Sequence, residues 1–121
     1  MSNKIVAIFA VLLVFTPITA QNSWQSKTTF PGSIYRGVAF TINNYGYVGT
    51  GMTANGWVNN FWRYDPEADV WSEIDSMPTL GRKGAFSFVI NNRAYVGGGA
   101  TANIVEAYDF WEYDPTLSKW S

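Results

Sequence analysis

The sequence predicts an all-β fold made of four-stranded antiparallel units that repeat along the chain. Two observations carry this. Phe61-Trp62-Arg63-Tyr64-Asp65-Pro66, closed by Trp71, returns as Phe110-Trp111-Glu112-Tyr113-Asp114-Pro115, closed by Trp120, at an offset of 49 residues. Repetition at that distance marks a solenoid or propeller, in which neighbouring units cover faces that one unit cannot cover alone. Outside the N-terminal apolar run no segment keeps a helical period, and short apolar runs bounded by Asn, Gly and Pro recur instead.

Composition narrows the function. Aromatic residues make up 17% of the chain and charged residues 14%, well below the roughly 25% charged of an average protein. There is ample surface to bury, so disorder is not expected. The net charge is −1 and no basic run exists, so no nucleic-acid partner is expected. The chain has no His and no Cys. That removes disulfides, the usual zinc sites, a thiol nucleophile and a Ser-His-Asp triad. A metal would have to be a hard cation on oxygen ligands. No cofactor, no metal site and no catalytic residue is expected from these residues.

Residues 1–20 read as a secretory signal peptide. Lys4 supplies a short positive start, Ile5 to Phe15 is an unbroken apolar run, and Ala20 puts a small residue before Gln21. A bilayer-spanning helix needs about twenty apolar residues, so this run is too short. The reading is a secreted or periplasmic protein with no membrane span after cleavage. No cysteine follows to carry a lipid anchor.

Residues 21–34 are expected to hold a leading fourth-type strand and a link, because Trp24 with Phe30-Pro31 matches Trp71 with Met77-Pro78 at an offset of 47. The first full repeat is 35–81. Its strand a is the apolar run Gly37 to Ile42, expected to be buried on both faces. Asn43-Asn44 suits a tight hairpin because Asn tolerates positive φ. Strand b is Tyr45 to Gly51, strand c is Phe61 to Tyr64, and strand d is Val70 to Ile74. The second repeat is 82–121. It has strand a at Ala85 to Ile90, Asn91-Asn92, strand b at Arg93 to Gly99, and strand c around Trp111. Its fourth strand begins at Trp120.

An apolar strand, a turn, Tyr-Val-Gly, a loop, an aromatic followed by Tyr-Asp-Pro, then Trp: this order resembles a kelch repeat, from Trp24 to Ser121. One departure is Gly49-Thr50-Gly51, where the family has adjacent glycines such as Gly97-Gly98. The resemblance implies kelch-type β-propeller blades of four antiparallel strands, with strand a nearest the axis. It implies that Trp71 and Trp120 fill the gap between blades. Propellers close with roughly four to eight blades, and two are present. That leaves a piece of a larger propeller or a ring-forming homo-oligomer. The leading strand at Trp24 and the strand begun at Trp120 would compete in such a ring, which favours the piece.

The strand order places the b–c loops, 52–60 and 100–107, and the d–a link, 75–83, at one end. Long loops on a rigid scaffold are where binding is expected. Recurring residues are framework, so Asp65 and Asp114 are read as turn formers rather than acids. Trp57 has no counterpart Trp in the second loop, and suits stacking on a sugar or anchoring a protein; folding back as a loop anchor is the equal alternative. Met52 and Asn55 are its neighbours. Arg36 and Arg82, each just before a first strand, are read as recurring residues that hold the link or face a carboxylate ligand. Glu106 is read as a solvated carboxylate.

The expected function is a secreted kelch-repeat binding module that presents these loops to a protein or glycan. The alternative is part of a periplasmic sugar-active propeller enzyme. Relatives by fold include sialic-acid mutarotases and copper-dependent galactose oxidase. The latter needs His ligands and a Cys-linked Tyr, which this chain lacks.

Overall fold

The computed structural model describes residues 2, 23–103 and 106–121. The signal peptide expected at 1–20 lies, but for Ser2, outside the described residues. In chain order the strands are β1 Val38–Ile42, β2 Tyr45–Gly49, β3 Met52–Thr53, β4 Gly56–Trp57, β5 Phe61–Asp65 and β6 Val70–Ile74. They continue with β7 Arg82–Lys83, β8 Phe86–Ile90, β9 Arg93–Gly97, β10 Ala100–Thr101, β11 Phe110–Asp114 and β12 Lys119–Trp120. No helix among the described residues is long and apolar enough to cross a membrane.

Two four-stranded antiparallel sheets form, in the orders β1-β2-β5-β6 and β12-β11-β9-β8. These are blades one and two, and each is an a-b-c-d meander. The turns explain the registers. Asn43 and Asn44 sit at φ 50° and 65°, and Asn91 and Asn92 at 50° and 58°. Two consecutive positive φ values let a tight hairpin follow the twist of its strands. At the same end, Asp65 Oδ1 accepts from the Glu67 and Ala68 amides at 2.9 and 3.2 Å. Asp114 Oδ1 accepts from Thr116 and Leu117 at 2.8 and 3.4 Å. Both carboxylates are turn formers, and the identical bonding accounts for the recurrence of Asp-Pro.

The core lies between the blades. From blade one come Val38, Phe40, Ile42, Tyr47 and Phe61; from blade two come Ala94, Val96, Tyr113 and Trp120. Met77, on the link that joins the blades, is fully buried with them. Strand a was expected to be buried on both faces. Instead Val38, Phe40 and Ile42 are buried while Ala39 and Thr41 are exposed. A strand is covered on both faces when blades flank it on both sides, and blade one has one neighbouring blade among the described residues.

The leading segment expected at 21–34 is described from residue 23 on. Residues 23–30 belong to no strand, and Trp24 is fully exposed. A strand needs a ladder partner, and among the described residues none lies beside this segment. The chain instead reaches blade one further on. The Thr28 amide donates to Asp69 Oδ1 at 3.0 Å, and Phe30 packs edge-on against Trp71 with centroids 5.0 Å apart. Phe30 thus stands against Trp71 as Met77 stands in the core with Trp120, which explains the matching Phe30-Pro31 and Met77-Pro78.

Candidate functional site

The loop end of the blades is more ordered than the sequence suggests. Residues 52–57 fold into the hairpin β3–β4, with Met52 opposite Trp57 and Thr53 opposite Gly56. Thr53 Oγ1 shapes its tip: it accepts from the Asn55 amide and donates to the Gly56 carbonyl, both at 3.1 Å. Asn55 stands exposed at that tip. Met52 is anchored by its backbone, which exchanges two hydrogen bonds with Tyr35 at 2.9 and 3.1 Å.

Trp57 is half-buried, and its ring is already engaged. Lys83 Nζ lies 4.5 Å from the ring centroid, a cation–π contact. Gly81 passes so close that a Cβ there would overlap the Trp57 carbonyl. Trp57 is therefore a platform with an ammonium set over it.

Arg36 and Arg82 are not equivalent, contrary to their reading as a recurring pair. Tyr35 pairs with Met52 as Lys83 pairs with Ala100. The next residue in each repeat, Arg36 or Gly84, turns the chain at φ 57° or 67°. The counterpart of Arg36 is Gly84, and Arg82 aligns with Ile34. Arg36 is exposed, and its carbonyl accepts from the Gly84 amide at 2.9 Å. That bond puts it beside Lys83.

Arg82 is fully buried and has no exposed donor for a ligand. Its Nη1 donates to Asp109 Oδ1 at 2.8 Å and to the Gly98 carbonyl at 3.1 Å. Its Nη2 donates to Asp109 Oδ2 at 2.5 Å and to Thr79 Oγ1 at 3.3 Å. This fork fixes the link to the end of β9. Arg82 holds the Asp109 carboxyl down at about 2 by hydrogen bonding, helped by the Trp111 indole and opposed by burial.

Sequence reasoning missed Lys83, Tyr35 and Asn59. Asn59 Nδ2 donates to the Met77 and Thr79 carbonyls at 2.9 and 2.8 Å and so shapes the link. Lys83 and Tyr35 are counterparts of unlike chemistry, the same signal that singled out Trp57, and it could have found them. Glu106 is not simply solvated: it accepts from the Tyr108 hydroxyl at 2.8 Å. A cavity of about 190 Å³ lies there, lined by Leu80, Arg82, Thr101, Tyr108 and Asp109 among others. A larger hollow of about 490 Å³ lies at the opposite end, between Asn43-Asn44 and Asp65-Pro66-Glu67. Its walls are the recurring turns, so it reads as the space between two framework turns rather than as a ligand site.

The four-stranded meander, its interblade core and its paired turns can now be set beside known proteins. Residues 45–78 match the kelch motif. That stretch runs from β2 through the link to Pro78, so it takes in three strands of blade one and the β3–β4 hairpin. No curated protein matches the chain. Among solved structures, that of YjhT superposes with a TM-score of 0.72 at 22% sequence identity. The match covers 82% of this chain and 40% of the YjhT chain. At that identity the likeness is one of fold. The two sheets are β-propeller blades, and the kelch motif lies on the first of them. Such a fold hosts many activities, so function has to be argued from the residues on the blades.

Proposed function

We propose that these kelch blades form a binding module whose ligand is an acidic glycan, held at the β3–β4 end. The observation that carries this is Lys83 standing 4.5 Å over the Trp57 ring. Arg36 lies on the adjoining segment, and Tyr35, half exposed, flanks Met52. Among the described residues neither Arg36 nor Lys83 is in an ion pair. Two cations without a carboxylate partner among the described residues, beside two aromatic rings, match a ligand that combines carboxylates with a sugar face. Met52 and Asn55 position this patch through the hairpin. Export by way of residues 1–20 belongs to the same reading, and N-terminal sequencing of exported protein should find a start near Gln21.

A glycan array probed with the chain tests the function. Carboxylated glycans should bind, and Trp57→Ala and Lys83→Ala should each lose most of that signal. Retention of acidic glycans by both variants would remove this patch from the reading. Failure to bind any glycan, with capture of a protein ligand through the same residues, would move the module to protein recognition. Accelerated anomer exchange of a sugar would replace binding by enzymatic activity.

A further inference from the structure

Between the turns of the two blades stands a cation with tyrosines around it and no counter-charge. Arg63 on β5 lies opposite Tyr47 on β2, and its guanidinium sits 4.8 Å over the Tyr45 ring. Burial pushes the Tyr47 hydroxyl up, and the nearby Arg63 charge opposes the rise. Among the described residues Arg63 is in no ion pair, and its Nε is buried without an acceptor. A second cavity of about 190 Å³ opens beside it. Blade one lines this cavity with Asn43, Tyr45, Tyr47 and Arg63, and blade two with Pro115 and Thr116.

Blade two shows what belongs there. The register that sets Tyr47 opposite Arg63 sets Tyr95 opposite Glu112, and Arg93 stands in blade two where Tyr45 stands in blade one. The blade-two groups close on one another. Arg93 Nη1 meets Glu112 Oε1 at 2.8 Å and Asp114 Oδ2 at 2.7 Å. The Tyr95 hydroxyl donates to Glu112 Oε2 at 2.7 Å. One carboxylate thus accepts from an arginine and a tyrosine together. Blade one keeps the tyrosine, as Tyr47, but places its arginine, Arg63, where blade two has that carboxylate. Asp65, the counterpart of Asp114, bonds the Glu67 and Ala68 amides and makes no ion pair among the described residues. The two donors remain in blade one, and the chain supplies them no carboxylate.

We infer that this cavity binds the carboxylate of a small organic acid, with Arg63 as its counter-charge. A guanidinium matches a carboxylate in both shape and charge. Tyr47, Asn43 and Thr116 bring hydroxyl and amide donors to the same space. Charge selects the class. One guanidinium balances one negative charge, and Asp65 and Glu67 line the adjoining hollow, which shares Asn43 and Tyr45 with this cavity. Those carboxylates repel a dianion such as phosphate more strongly than a monoanion. The cavity lies at the end of the blades opposite the β3–β4 hairpin, so it stands independently of the glycan reading.

Acetate and inorganic phosphate, titrated at equal ionic strength into the isotope-labelled chain, test this by nuclear magnetic resonance. Acetate should shift the Asn43 side-chain amide and the Thr116 backbone amide saturably, and phosphate should shift them less. Arg63→Gln should weaken acetate binding by about tenfold. Thr116→Glu, at an exposed turn position, tethers a carboxylate beside Arg63 and should block acetate with the fold intact. That variant keeps the test decisive if Arg63→Gln fails to fold. An absence of saturable shifts in the wild type, or acetate binding unchanged in either variant, would overturn the inference. Tighter binding of phosphate than of acetate would overturn the carboxylate as its ligand class.

Discussion

The indole N–H of Trp120 donates to the Asp75 carbonyl across 2.9 Å. The bond ties the outer strand of blade two to the link leaving blade one. Trp71 makes the same bond to the Thr28 carbonyl at 3.2 Å. Two tryptophans in equivalent places thus clasp two equivalent links, and a difference in burial separates them. Trp120 is 6% exposed and packs on Phe61 and Tyr113. Trp71 is half-buried and packs on Phe30 and Tyr64.

That difference sets the cost of truncation. Trp120→Ala opens a cavity in the interblade core and should cost about 3–5 kcal/mol. Trp71→Ala removes a ring with one side toward solvent and should cost about 1–2 kcal/mol. Urea denaturation of the two variants checks this. Equal losses would contradict the assignment of Trp120 alone to the core.

Much of the fold was legible because the chain states it twice. Phe61 to Trp71 and Phe110 to Trp120 announce a third strand, a turn and a fourth strand, and the Asn pairs announce the hairpins. The site was less legible, because register depends on φ rather than residue type. Arg36 resembles Arg82 in chemistry but stands where Gly84 stands, since both turn the chain in the left-handed region. The partner of Arg82 is Asp109, 27 residues away, and nothing in the local pattern joins them.

Thr50 is a strained substitution for glycine. It adopts φ 55° where its counterpart Gly98 adopts 68°, and a β-branched residue pays for that conformation. It is fully buried, and its Oγ1 has no hydrogen-bond partner. A Cβ on Gly98 would lie 2.9 Å from the Phe86 ring. In blade one that ring is replaced by Val38, and the smaller side chain makes room for Thr50. Thr50→Gly should therefore raise stability by about 1 kcal/mol, after the lost packing is set against relieved strain and a removed orphan hydroxyl. Gly98→Thr should lower it. A fall in melting temperature for Thr50→Gly would show that packing outweighs strain.

The Arg82–Asp109 pair makes stability depend on acid. Asp109 is held at about 2 by Arg82, below its ordinary 3.8. A depressed carboxyl contributes stability that is complete above about pH 4 and lost as the pH falls through about 2. The shift corresponds to about 2 kcal/mol. The carboxylate is 37% exposed, and screening by water reduces this to about 1 kcal/mol. Asp109→Ala leaves a buried guanidinium short of its counter-charge and should cost about 3 kcal/mol at neutral pH. Melting temperatures from pH 5 to about 2 should show wild type and variant converging. Parallel curves would mean that the carboxylate is not the titrating group.

Asp69 fastens the leading segment to blade one. Its carboxylate accepts from the Tyr64 hydroxyl at 2.5 Å and from the Thr28 amide at 3.0 and 3.2 Å. The hydrogen bond to Asp69 pushes the Tyr64 hydroxyl up to about 12, and the same bond lowers Asp69. A tyrosine raised in the fold contributes stability that is complete below pH 10 and lost as the pH rises through about 12. At the equivalent place, blade two has Ser118, which shares the left-handed φ, 50° against 55°. The carboxylate is thus what blade one adds in order to hold Thr28. Asp69→Ala should return Tyr64 toward its ordinary titration and speed hydrogen exchange at the Thr28 amide, with the interblade core undisturbed. Tyr64 titrating near 10 in the wild type, or slow exchange at Thr28 in the variant, would show that Phe30 packing alone holds the segment in place.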